Sequence, residues 1–259
     1  MAHAPQPVRR TAPVMGTVAS IHVHDDAPLP VIDKAIGSTV AELERLEALF
    51  STFRPTSQIS EINAGTRTVT DCDDEVIAVL DACTWLEHES GGAFSAHPPD
   101  CPGRLDPSGF VKGWATEQAA ACLTEAGLEH FYVAVGGDLL VHGSPAPARP
   151  WHIGLADPRR PGAAVGVIDI LSGAVATSGT SERGGHIWDG RDGHAAGDFL
   201  AVTIVGPSLA WADAFATTAF ALGADGPRWV TQFAGYAAVV VDRTGALHRY
   251  GPIALAAEG

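Results

Sequence analysis

The way hydrophobic spacing changes along this 259-residue chain constrains its fold more than any single motif does. The first half holds long segments of helical periodicity. "VIDKAIGSTVAELERLEALF" ends at a Phe-Ser-Thr-Phe-Arg-Pro turn, and "SQISEIN" reads as a short helix capped by Ser57. "DDEVIAVLDACTWLEHESGG" has an acidic first turn and a glycine stop. A Pro- and Gly-dense loop then leads into "FVKGWATEQAAACLTEAG". The second half is built of short strand-like runs such as "HFYVAVGG", "DLLVHG", "VGVIDILSG" and "FLAVTIVG", separated by turn residues. Helices first and strands later predict an α+β fold, not an alternating parallel sheet. "MGTVASIHVH" (Met15–His24) is an early strand, and His22 and His24 share a face expected to be polar and exposed. There is no fixed-period repeat, and "GSPAPARP" is short enough to be a surface loop.

A hydrophobic content of 46% excludes a disordered chain, and a net charge of −14 argues against nucleic acid or an anionic lipid surface as partner. Cys72, Cys83, Cys101 and Cys122 form no CxxC pair, which predicts reduced thiols and no zinc site. No run reaches membrane-spanning length, and the twin arginine of "VRRTAPVMGTVAS" is not followed by an apolar segment. The expectation is a single domain over 1–259, cytoplasmic, with no membrane span and residues 1–12 disordered.

Four stretches can carry chemistry. In "LDPSGFVKGWA", Ser108 and Gly109 leave room at a helix start whose amides attract anions. Lys112, expected in the first helical turn, does not suit the helix dipole and calls for an anionic partner; a solvated lysine is the plainer alternative. "VAVGGDLLVHG" sets Gly136, Gly137 and Asp138 between two strands, where a hairpin turn is expected. "AVATSGTSERGGHIWDG" offers Arg183 and His186 in a loop able to hold a base near a reacting hydroxyl. "AWADAFATTAF" puts Asp213 and Thr217 one helical turn apart among small apolar residues. Their hard oxygens suit Mg²⁺, which usually adds water and phosphate oxygens. The alternatives are a helix cap or a satisfied hydrogen bond, although Ser208 is the better N-cap.

Taken in order, "MGT", "FSTFRPTSQISEIN", "LDPSGFVKGWA", "VGGD", "WHIGLADP", "AVATSG", "GHIWDG" and "ADAFATTAFALG" resemble the ApbE family of FAD:protein FMN transferases, from about Met15 to Gly223. The resemblance implies a two-part, T-fold-related α+β arrangement: two intimately packed halves, helices and a mainly antiparallel or mixed sheet around a central cleft. It implies FAD as substrate, Mg²⁺ as cofactor, and transfer of FMN through a phosphoester to a threonine or serine of an acceptor protein, with release of AMP. An FAD pyrophosphatase and a non-catalytic FAD-binding module are the alternatives. By the same resemblance Asp213 and Thr217 are metal ligands, with a backbone carbonyl as a third. His186, Asp213 and Lys112 are catalytic, His186 as general base. Met15, Gly16, Phe53, Asp106, Ser108, Gly109, Lys112, Gly136, Gly137 and Asp138 line the nucleotide site. Three departures from the family pattern stand out: Phe53 where tyrosine is common, Ala134 where asparagine is, and Gly190 where proline is.

Overall fold

A computed structural model of the chain describes residues 6–180 and 187–255. It opens with a hairpin, β1 (Val8–Val14) and β2 (Thr17–Val23), whose loop residues Met15 and Gly16 both have positive φ (50° and 69°). Tight hairpins need such angles, because they match the twist of the flanking strands. Four helices follow: α1 (Leu29–Phe50), α2 (Gln58–Asn63), α3 (Asp74–Glu89) and α4 (Ser108–Glu125). Six strands come next: β3 (Phe131–Val135), β4 (Asp138–His142), β5 (Trp151–Ala156), β6 (Ala164–Ile170), β7 (Gly173–Gly179) and β8 (Phe199–Gly206). Helices α5 (Leu209–Leu222) and α6 (Gly226–Val230) precede the final pair, β9 (Ala237–Asp242) and β10 (Leu247–Tyr250).

The α+β class expected from the segregated periodicities is what the chain forms. Eight strands make one sheet in the order β1-β2-β3-β4-β7-β8-β9-β10, and β5 pairs only with β6. Among the described residues every strand pairing is antiparallel, so the mixed option falls away. The order does not close on itself, leaving β1 and β10 as edges. Residues 8–12, expected to be disordered, lie in β1 and pair with β2 from Val8↔Val23 to Ala12↔Ala19.

Side-chain alternation splits the sheet into two faces. On one, α1 and α4 cover Ala19, Ile21 and Val133, while α3, α4 and α5 cover Ala176, Ile204 and Val240. On the other, the β5–β6 ribbon packs Leu155 and Ile168 on Val175 and Val239, and Trp151 on Leu139 and Val141. His22 and His24 lie under that ribbon's approach and are not simply exposed. His22 stacks on Tyr132 (4.2 Å between rings), and His24 meets Trp151 edge-on and the Pro145 carbonyl at 3.1 Å. Helix α5 is apolar all round and therefore buried: only Trp211, Thr217 and Leu222 escape full burial. Ser208 caps it as expected, accepting from the Trp211 amide, and Ser57 likewise caps α2. All four cysteines are unpaired. No helix among the described residues is long and apolar enough to cross a membrane.

Candidate active site

The start of α4 is held by polar clamps. Asn63 donates to the Leu105 carbonyl (2.9 Å) and accepts from the Leu105 amide (2.7 Å). The Asp106 amide donates to the Ala96 carbonyl, and its carboxylate accepts from the Ser108 amide at 3.1 Å. Asp106 thus supports the helix start rather than standing free. Ser108 is exposed. Gly109 faces α5: a Cβ there would lie 3.1 Å from the Phe94 ring and 3.7 Å from the Thr217 methyl. Because α4 begins at Ser108, Lys112 falls in the second turn and not the first.

The anionic partner that Lys112 called for is a pair of interior carboxylates. Its ammonium bonds Asp138 Oδ2 and lies 3.3 Å from Asp213 Oδ1. Asp138 comes from the first residue of β4, and its Oδ1 accepts from the Thr177 amide of β7 at 2.9 Å. Both its oxygens are therefore engaged, which fits a supporting role. Asp213 Oδ2 accepts from the Gly113 amide at 2.8 Å. Burial pushes the Asp213 carboxyl up, against the pull of the Lys112 ammonium and the Gly113 amide. Gly113 is where α4 and α5 touch: a Cβ there would sit 2.5 Å from the Leu209 carbonyl and 2.6 Å from Asp213 Cβ.

One turn beyond Asp213, Thr217 Oγ1 lies 3.2 Å from Ser178 Oγ on β7. Ser178, within "AVATSG", and Gly113, within "LDPSGFVKGWA", have no role assigned from the sequence. A glycine inside a strong helical pattern was the available signal for Gly113, since such a residue costs about 1 kcal/mol and implies a close approach. The donors gathered here, one carboxylate and two hydroxyls, are hard oxygens of the kind Mg²⁺ accepts alongside water and phosphate. Among the described residues no group of three or more His, Cys, Asp or Glu side chains could hold a metal ion, so a cation here would lean on its substrate and on water.

Gly136 and Gly137 form the β3–β4 turn that their spacing predicted, with φ of 59° and 94° between Val135 and Asp138. A Cβ on Gly136 would meet Thr17 Cγ2 at 3.4 Å and Lys112 Cδ at 3.7 Å. The Met15–Gly16 turn, the diglycine turn and the Lys112 stem thus lie side by side. Met15 is half-buried and packs against both helix-face cores, whereas Gly16 and Gly137 are exposed. Phe53 is 89% exposed in the α1–α2 connection. The Gly190 amide donates to the Ala93 carbonyl at 2.9 Å, a bond that a proline at this position could not make. Arg183 and His186 lie outside the described residues. A cavity of about 270 Å³ beside Glu117 and Leu140, and one of about 190 Å³ beside Asp189 and His194, are lined by no residue of this cluster.

The ApbE family matches residues 15–97 and 99–240. The chain is 25% identical over 244 residues to an FAD:protein FMN transferase of Klebsiella pneumoniae, covering 86% of this chain and 69% of that protein. It is 26% identical over 151 residues to one of Salmonella typhimurium, covering 54% of this chain and 43% of that protein, less than half of the relative's length. In fold it resembles the ApbE protein of Thermotoga maritima, with a TM-score of 0.83 at 23% identity over 95% of this chain and 97% of that one. It also resembles the flavin transferase ApbE of Vibrio cholerae, with a TM-score of 0.78 at 21% identity over 95% and 96%.

Proposed function

The chain belongs to the ApbE family, and we propose that it transfers the FMN moiety of FAD to a threonine or serine hydroxyl of an acceptor protein, releasing AMP. The observation that carries this reading is the interior Asp213, one turn from the Thr217 hydroxyl and beside the Lys112 ammonium. A simple binding pocket has no need of a buried acid with a lysine and a hydroxyl around it.

In this reading Asp213 and Thr217 hold Mg²⁺. Bound there, the ion would neutralise charge on the pyrophosphate oxygens. Gly136, Gly137, Met15 and Gly16 shape the two adjoining turns against which the nucleotide lies, and Phe53 offers a ring to stack on it. Lys112 and the amides near Ser108 and Gly109 attract phosphate. His186 takes the proton of the acceptor hydroxyl as its oxygen bonds the FMN phosphorus. The bond from that phosphorus to the AMP oxygen breaks, and AMP leaves with the electron pair. Four unpaired cysteines support a reducing, cytoplasmic setting.

The test is incubation with FAD, Mg²⁺ and a threonine-bearing acceptor, followed by in-gel flavin fluorescence. A fluorescent acceptor band is expected. His186→Ala should still bind FAD but transfer about 10²–10⁴-fold more slowly. Free FMN and AMP without a labelled acceptor would replace the transferase with a pyrophosphatase. Unchanged transfer by His186→Ala would remove that residue from the chemistry.

A further inference from the structure

Lys112 is the one member of its ion cluster that solvent reaches appreciably. Its side chain is 29% exposed, against 2% for Asp138 and 4% for Asp213. The ammonium therefore closes over two interior carboxylates from the solvent side. With both acids ionised, two carboxylates and one ammonium sum to −1, and an interior charge left unmatched is unfavourable. This cluster is short of positive charge.

The two carboxylates are held differently. Asp138 bonds the ammonium directly while its other oxygen is fixed by the Thr177 amide. Asp213 Oδ1 stands off at 3.3 Å, longer than the 2.7–2.9 Å or so of a strong charge-assisted hydrogen bond. Asp213 is the carboxylate assigned above to the metal, and Asp138, anchored through its other oxygen by the Thr177 amide, could keep the lysine when Asp213 releases it.

Resting on the reading of Asp213 as a metal ligand, we propose that Lys112 is a resident counter-ion, neutralising Asp213 in the metal-free protein and withdrawing to Asp138 when a divalent cation binds. No covalent bond changes; one cation is exchanged for another at a carboxylate. Lys112 is then a competitor of the metal. Asp138 is a positioning residue that favours the metal by drawing the competitor aside. If Lys112 served only to clamp phosphate, its effect on metal affinity in FAD-free protein would not depend on Asp138.

The experiment is titration of the FAD-free full chain with Mn²⁺, read from the electron paramagnetic resonance of the free ion, and with Mg²⁺ by calorimetry. Lys112→Met should bind at least about tenfold more tightly, because a charge a few ångströms from a partly buried ion has an effect of that order. Asp138→Asn keeps the side-chain shape and an oxygen for the Thr177 amide but leaves the lysine to Asp213. It should bind at least about tenfold more weakly. The Asp138→Asn penalty should shrink in the Lys112→Met background, since the competitor it releases is gone. Without metal, Lys112→Met should melt at a lower temperature than wild type, and Mg²⁺ should raise that temperature more than it does for wild type.

Affinities within about twofold of wild type for both single variants would overturn the counter-ion role, as would equal Asp138→Asn penalties in both backgrounds. Asp213→Asn should abolish binding. If wild type binds neither ion, the metal reading fails and the counter-ion role falls with it. If wild type binds, Asp213→Asn does not, and the other variants match wild type, the counter-ion role alone fails. Should Lys112→Met not fold, Asp138→Asn carries the test.

Discussion

Replacing Gly113 with alanine tests how tightly the two site helices are locked together. The new Cβ would stand 2.5 Å from the Leu209 carbonyl and 2.6 Å from Asp213 Cβ, and neither atom can swing aside. Restoring an ordinary contact of about 3.3 Å means parting α4 from α5 by roughly 0.8 Å. Overpacking of this kind costs about 1–3 kcal/mol. The same movement stretches the 2.8 Å bond from the Gly113 amide to Asp213, and a hydrogen bond to a charged group is worth about 1.5–3 kcal/mol. Against this, alanine in a helix gains about 1 kcal/mol over glycine. The balance is a loss of about 1.5–5 kcal/mol, read as the difference in unfolding free energy in urea. Gly37→Ala is the matched control: it is an exposed residue within α1 with no atom within 4 Å of the added Cβ, and it should gain up to about 1 kcal/mol. If both variants are as stable as wild type or more so, the close approach at Gly113 is not limiting and the reasoning fails.

Two further outcomes follow from single side chains. Burial, then Arg9 and His24, lowers the His22 pKa from 6.5 to about 4. As pH falls from about 6.5 to about 4 the unfolded chain takes up a proton that the folded chain refuses, so stability drops across that window. His22→Gln should flatten that dependence in pH-resolved denaturation, and an unchanged slope would refute it. Phe53→Ala should leave stability within about 0.5 kcal/mol, since the ring is exposed. It should weaken FAD binding about 2–10-fold if the ring stacks on the ligand, as judged by flavin fluorescence titration; unchanged affinity would remove Phe53 from the site.

Local features were readable from the sequence wherever one segment's own chemistry decided the outcome. The caps Ser57 and Ser208, the diglycine turn and the apolar helix around Asp213 all needed only neighbours in the chain. Strand β1 was not readable, because "VRRTAPV" carries two arginines and a proline and buries only Val14 fully. It is ordered by pairing with β2 across the Met15–Gly16 turn, not by a pattern of its own. The need of Lys112 for an anion was visible in its position near a helix start. That the anions are Asp138 and Asp213 was not, since those partners arrive from 26 and about 100 residues away. His22 and His24 were misjudged for the same reason: what covers their face comes from β3, β5 and the loop before β5.

The bond between the Gly113 amide and Asp213 joins positions separated by 100 residues, and Glu117 reaches Ser208 and Ala210 across a similar distance. During synthesis the ribosome therefore releases the lysine-bearing helix, with its turns and early strands, long before the acid that completes the centre. A nascent chain cut short between β4 and α5 holds Lys112 and Asp138 but lacks Asp213. The ion cluster is completed late in translation, when α5 seats against α4.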